Sequence, residues 1–305
     1  MGRKHSASFG KEATGGPMFL IVGLVVVFGS IYVGYTMHGG EMAVLIQISE
    51  VIIICGCAIG AVVVGNSPST VKGMVMDTLA LLKPDPYSKE SFSELLQVLY
   101  DIFYAARRDG LVGIEAHVEN PSGSDIFNKY PSFQQNHHAV HFVADTIKVL
   151  LTGAVEDHHL SEILDLDLEQ HHEEAMTIPH VMQNTADALP GFGIVAAVLG
   201  VIITMGKIGG SPESIGESVA AALVGTFLGI LLAYGVVGPL AQSLESRVSS
   251  EERYMACIRT ALLSFARGDP PITSVEFARR TMDPDDRPTF SELEDLTRKR
   301  GKEGS

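Results

Sequence analysis

The sequence has no tryptophan in 305 residues, only three cysteines, and charge on only 19% of its side chains. Charge this sparse, beside 46% hydrophobic residues and a positive mean hydropathy, is wrong for an ordinary soluble domain, in which about a quarter of residues are charged. Basic residues are the scarcer sign, 22 against 36 acidic for a net charge of −14. A nucleic-acid partner is thereby excluded, because counterion release needs Lys and Arg. Cys55, Cys57 and Cys257 cannot build a disulfide framework, and the first two fall on nearly opposite sides of a helix, so all three read as reduced packing residues. No nucleophile elbow, phosphate loop or metal signature occurs, and an enzyme has no support.

What is present is long apolar runs. Residues 18–37, 42–65, about 191–208 and about 219–242 each suffice to span a hydrocarbon core of about 30 Å, which takes roughly 20 helical residues. The first two are separated by His38-Gly39-Gly40-Glu41 and the last two by a short Gly/Ser/Pro-rich link, so each pair forms a helical hairpin. The expected fold is all-α, a polytopic membrane protein with four transmembrane helices and a large helical cytoplasmic domain. Lys and Arg set the orientation. The link at 38–41 has none and 207–218 has only Lys207, whereas the leader carries Arg3, Lys4 and Lys11 and the segment after 242 carries eleven basic residues. Both termini and the middle block are therefore expected in the cytoplasm. The resulting division is a leader, 1–17; a transmembrane hairpin, 18–65; a cytoplasmic block, 66–189; a second hairpin, 190–242; and a cytoplasmic helix and tail, 243–305. The apolar run after the leader is too long for a signal peptide and no cleavage site follows it. A disordered extension, or an upstream start ahead of Met18, fits better.

The middle block holds 7 basic and 19 acidic residues, net −12, a face that attracts basic surfaces. Leu95, Leu96, Leu99, Ile102, Phe103 and Ala106 recur at spacings of three and four, which predicts a helix over 92–108 stopped by Gly110. A second helix is predicted over 137–155 through Val140, Val143, Ile147 and Leu151. Residues 156–189 form an acidic, partly helical return to the third span, and 243–266 continue the fourth span as an amphipathic helix. His137, His141 and Asp145 share a face at i, i+4, i+8, but with no other ligand signature and a loop simply rich in histidine (His158, His159, His171, His172), no metal site is assigned there.

Gly56/Gly60, Ala196/Gly200 and Gly225/Gly229/Ala233 form small-residue stripes that let helices approach closely, whether within one bundle or between chains. Polar residues inside the spans are few, among them Gln47, Glu50, Thr204 and Thr226. Gln47 and Glu50 are three apart and would share a helical face. A carboxylate in a span costs about 2.5–3.5 kcal/mol on insertion scales, which places Glu50 in a protein interface or at the membrane boundary. One acid and a few scattered hydroxyls do not make a proton relay, so the chain alone cannot conduct.

Several longer stretches carry a resemblance: LPGFGIVAAVLGV (189–201), VGTFLGILLAYGVVGPLA (224–241), GGEMAVLIQISEVIIICGCAIG (39–60), IEAHVENPSGSDIF (114–127), PPITSVEFARRT (270–281) and RPTFSELE (287–294). They are similar to the flagellar motor stator family of the MotA/TolQ/ExbB superfamily, over nearly everything from 18 to about 295. The resemblance implies a homo-pentamer in the cell inner membrane around the helices of a MotB dimer, whose Asp binds the ion, and a cytoplasmic domain that pushes on the rotor protein FliG. It implies no cofactor, the transported ion being a proton. It puts rotor charges at Arg107 and Glu115, with Arg108 an additional charge, and coupling prolines at Pro190 and Pro239. Taken alone, Arg107 is also a cation well placed at a helix C-terminus, and Pro190 is a proline at a helix start. Thr226, Ala197 and Thr204 fall on the ion pathway; sodium-driven members tend to carry Thr where this chain has Ala197. Within the superfamily, an ExbB- or TolQ-like energiser would show three spans. A small-solute secondary transporter would show a polar midplane pocket with broken helices.

Overall fold

The computed structural model describes residues 16–153, 156–206, 209 and 211–298. The leader up to residue 15, the expected end of the 137–155 helix, the last two residues expected in the third span and the tail beyond 298 lie outside them. In chain order the helices are α1 (Pro17–Met37), α2 (Met42–Leu45), α3 (Ile48–Gly65), α4 (Pro68–Ala80), α5 (Lys89–Asp109), α6 (Glu115–Glu119), α7 (Pro131–Gln135) and α8 (His137–Leu151). They continue with α9 (Asp157–Met205), α10 (Pro212–Leu232), α11 (Gly238–Ala266), α12 (Pro271–Thr281) and α13 (Phe290–Arg298). No strand occurs among the described residues, as the all-α reading requires.

The chain divides into two compact units, 1–84 with 175–247, and 85–174 with 248–305. These boundaries differ from the expected block at 66–189 and tail at 243–305. The polar helix α4 and residues 175–189 of α9 side with the spans, because Leu81, Met182, Ala241 and Leu244 form a buried cluster there. Arg247 secures it by donating to the carbonyls of Ala80, at 2.7 Å, and of Lys83, capping the orphan acceptors at the end of α4 with a cation.

Among the described residues four helices are long and apolar enough to cross a membrane, their apolar parts in this first unit. None of α1's residues is buried within the chain, and large apolar side chains such as Phe19, Val25, Ile52 and Ile203 stand exposed. Surfaces of this extent are covered in a native protein, here by lipid or by other chains. The second span is not one helix. Ile46 and Gln47 interrupt it, with Gln47 extended at φ −104°, ψ 101°, and Gln47 Nε2 turns back to the Val44 carbonyl at 3.1 Å. That local bond ends α2, so Gln47 and Glu50 do not share a helical face as expected. The third span is the C-terminal part of the 49-residue α9, which passes through Pro179 and Pro190. The expected partly helical return is thus wholly helical, and Pro190 is not at a helix start.

The second unit has the soluble-type core the periodicity predicts. Ser88 caps α5 by accepting from the Ser91 amide, and Gly110, at φ +81°, ends it in a conformation glycine adopts without strain. Leu95, Leu96, Leu99, Ile102 and Phe103 of α5 are all fully buried. They pack with Val143 and Ile147 of α8 and with Ile258 and Leu262 of α11, and Phe103 stacks on Phe265 at 4.4 Å.

Candidate functional site

In the first unit the polar positions are organised by glycines. A Cβ at Gly193 would stand 2.8 Å from the Gly225 carbonyl oxygen and 3.1 Å from Gly229 Cα, and one at Gly229 would stand 2.7 Å from the Leu189 carbonyl oxygen. Backbone cannot yield at such distances, so α9 and α10 meet main chain to main chain only because these positions lack side chains. The carboxylate of Glu50 reaches this crossing from α3. A Cβ at Gly225 would lie 2.8 Å from Glu50 Oε2 and 3.2 Å from the Ala197 nitrogen. Glu50 is only 5% exposed, and its Oε2 has no hydrogen-bond partner among the described residues. Ala197 on α9 and Thr226, which follows Gly225 on α10, are half-buried beside it. The Glu50 carboxylate and the Ala197 main chain, from two separate spans, therefore meet at Gly225 of a third, and Thr226 is the next residue along that helix. Thr204 does not join them. It lies seven residues beyond Ala197, about 10 Å along the axis, and its hydroxyl donates to the Gly200 carbonyl at 2.8 Å.

The small-residue stripes separate into two uses. Ala196/Gly200 and Gly225/Gly229 are consumed within the chain, a Cβ at Gly200 meeting Ala222 at 2.8 Å. A Cβ added at Gly56 or Gly60 would meet nothing within 4 Å among the described residues, and both positions are exposed.

Pro239 is preceded by a feature no hydropathy pattern shows, a π-helical turn over Ala233–Val237. The Gly238 amide bonds the Ala233 carbonyl, five residues back. A proline at 239 would drive its ring into the carbonyl four residues earlier and has no N–H to offer it. Widening the preceding turn removes that conflict without ending the helix. Pro179, buried in α9, went unremarked in the sequence. It sits eleven residues before Pro190, three turns, and so on the same face; that spacing was the available signal. Arg247, which anchors α4, showed no local signal.

In the second unit Arg107 and Glu115 stand on either side of the Gly110 turn, Arg107 in the last turn of α5 and Glu115 at the start of α6. Both are exposed, and neither makes an ion pair among the described residues. Arg108 differs: its guanidinium grips Asp109 through two nitrogens, at 2.9 and 2.8 Å. That bond holds the Asp109 carboxyl below the usual carboxylate range. The additional charge is therefore neutralised by its neighbour, while Arg107 is not. His137, His141 and Asp145 lie on the exposed face of α8, and Asp145 is held by Lys148 at 2.9 Å.

Fold and site define a class: a polytopic, all-helical membrane subunit whose span crossing carries one buried carboxylate. Residues 21–110 match the family of motility protein A N-terminal regions and residues 134–256 the MotA/TolQ/ExbB proton channel family. Motility protein A of Escherichia coli is 36% identical over 281 residues, covering 92% of this chain and 95% of that protein. The chemotaxis protein LafT of Vibrio parahaemolyticus is 35% identical, covering 89% and 94%. Among solved structures, that of C. jejuni MotAB superposes with a TM-score of 0.70 at 21% identity, covering 90% of this chain and 99% of that one. The flagellar MotAB stator complex from Bacillus subtilis gives 0.63 at 20%, covering 84% and 92%; at these identities the likeness speaks for the fold. The chain belongs to the motility protein A family within the MotA/TolQ/ExbB proton channel proteins; it is an inner-membrane motility protein and not an enzyme.

Proposed function

We propose that this chain is the stator subunit that forms a ring, expected to be a homo-pentamer, around a MotB dimer and uses inward proton flow to turn the rotor through FliG. Its termini and the unit holding Arg107 and Glu115 face the cytoplasm. The observation that carries the reading is chemical: a member of a proton channel family has a single carboxylate, Glu50, in its apolar runs. That acid is buried at a helix crossing rather than in a chain of ionisable groups. A partner must then supply the acid that takes up and releases the ion, as the pairing of MotA with MotB in the similar solved structures supports. The exposed stripe at Gly56 and Gly60 and the uncovered α1 supply the close-packing surface a ring needs. One proton crossing inward releases about 2.3 kcal/mol per 100 mV, enough for one conformational step of packed helices.

The test is complementation. Expressed in a flagellated cell lacking its own stator, this chain should restore rotation only together with a MotB-type partner, and proton leak should likewise need both. Leak from this chain alone would end the stator reading and favour a transporter; coupling to an outer-membrane uptake system in place of rotation would favour the ExbB/TolQ branch.

A further inference from the structure

Three helices of the second unit each bring one metal-capable side chain to a single point. His138 stands in the first turn of α8, His171 on α9 and Glu251 on α11, and one ligand atom from each lies within 4.8 Å of the others. The two imidazoles stack with centroids 3.6 Å apart, and His171 Nε2 lies 3.1 Å from Glu251 Oε1. The Tyr87 hydroxyl bonds the same carboxylate and accepts from Asn136 Nδ2 at 3.2 Å. A carboxylate steadied in this way is how proteins orient metal ligands. His138 Nδ1 is the unsettled member: it is buried and has no hydrogen-bond partner among the described residues, although buried polar atoms are almost always bonded.

We propose that His138, His171 and Glu251 bind a divalent transition metal of the zinc class through two imidazole nitrogens and one carboxylate oxygen. This donor set suits zinc and leaves a coordination position for water. Ligand atoms about 2.0–2.2 Å from a tetrahedral zinc lie roughly 3.3 Å from one another, close to the His171–Glu251 separation. A ring nitrogen binds in the plane of its ring, so two stacked imidazoles cannot face one ion; binding turns the His138 ring out of the stack and brings it into the coordination shell. The ion would tie α8, α9 and α11 together within this unit. A second group, Glu156, His158 and His159, is wholly exposed and serves as an internal control.

The experiment uses the untagged full-length protein in detergent, stripped with a chelator and titrated with zinc alone. One equivalent should bind and raise the unfolding temperature. Both effects should weaken at least tenfold in His138→Gln and in His171→Gln, and persist in the His158→Gln, His159→Gln double variant. Circular dichroism of each variant checks that it is folded. Cobalt in the unaltered protein should show the visible absorption of a four- or five-coordinate ion, a readout independent of any substitution. Absence of zinc binding, binding that survives loss of both His138 and His171, or binding lost with His158 and His159 alone would each overturn the site.

Discussion

At the scale of single residues, the glycines of the span crossing differ in what surrounds them, and their substitutions should differ accordingly. Gly229→Ala places a methyl group 2.7 Å from the Leu189 carbonyl oxygen, so α9 and α10 must move apart, at a cost of about 1–3 kcal/mol. A lower unfolding temperature in detergent, followed by circular dichroism, is the expected result. Gly56 has no neighbour within 4 Å of the same added atom, so Gly56→Leu should leave the subunit's own unfolding unchanged and instead impair ring assembly, read by native mass or cross-linking. Normal assembly of that variant would mean the stripe faces lipid. Among charges, Arg107 makes no ion pair among the described residues where Arg108 is held by Asp109, which leaves Arg107 a cation available to a rotor surface. Exposed single charges contribute little to stability, so Arg107→Glu should fold and reach the membrane normally yet reduce torque through lost complementarity. Full torque from an Arg107→Glu, Glu115→Lys double variant would remove the rotor contact from this face.

At the scale of elements, α5 and α8 were readable because a half-buried helix writes its contacts into the sequence: Leu95, Leu99 and Ile102 recur with the helical period and are fully buried. The span crossing was readable only as a list of polar residues. Which glycine Glu50 would face depends on a close approach between α9 and α10 that no single helix encodes. The break at Gln47 was hidden because a side-chain bond to Val44 ends α2 inside an unbroken apolar run. Continuity through Pro190 was hidden for the opposite reason: α9 runs on through it, with Leu189 and Gly193 close against Gly229, where proline alone reads as a helix start. The His138, His171 and Glu251 group was invisible, since its members lie on three helices and the periodicity of α8 pointed to His137 and His141 instead. Pro239 was expected only as a coupling proline, and the structure adds the π-helical turn that accommodates it. Pro239→Leu restores an N–H and removes the ring clash, so the turn should relax toward regular α-helix. The ring should still assemble while rotation weakens; loss of assembly would assign Pro239 to packing rather than to transmission.

At the scale of the whole molecule, the question is which ion the assembled motor passes. A sodium ion gives up water only to several oxygen ligands, whereas a proton needs one acceptor and a hydrogen-bonded path. Around Gly225 the chain offers Thr226 and the buried Glu50, while Ala197 brings no oxygen beyond its backbone. Thr204, the hydroxyl of the third span, already donates to Gly200 and lies two turns from Ala197 along α9. One hydroxyl can orient a water or bond a partner's protonated acid, but it cannot replace a hydration shell. We therefore expect proton drive. Thr226→Val keeps the shape and removes the hydroxyl, so it should lower torque several-fold while leaving co-purification with the partner intact. Rotation speed, measured on tethered cells, should follow the proton-motive force and stay unchanged across external sodium concentrations. A speed that rises and saturates with sodium at fixed pH and voltage would show that ligands from the partner complete a sodium site, and the proton assignment would fall.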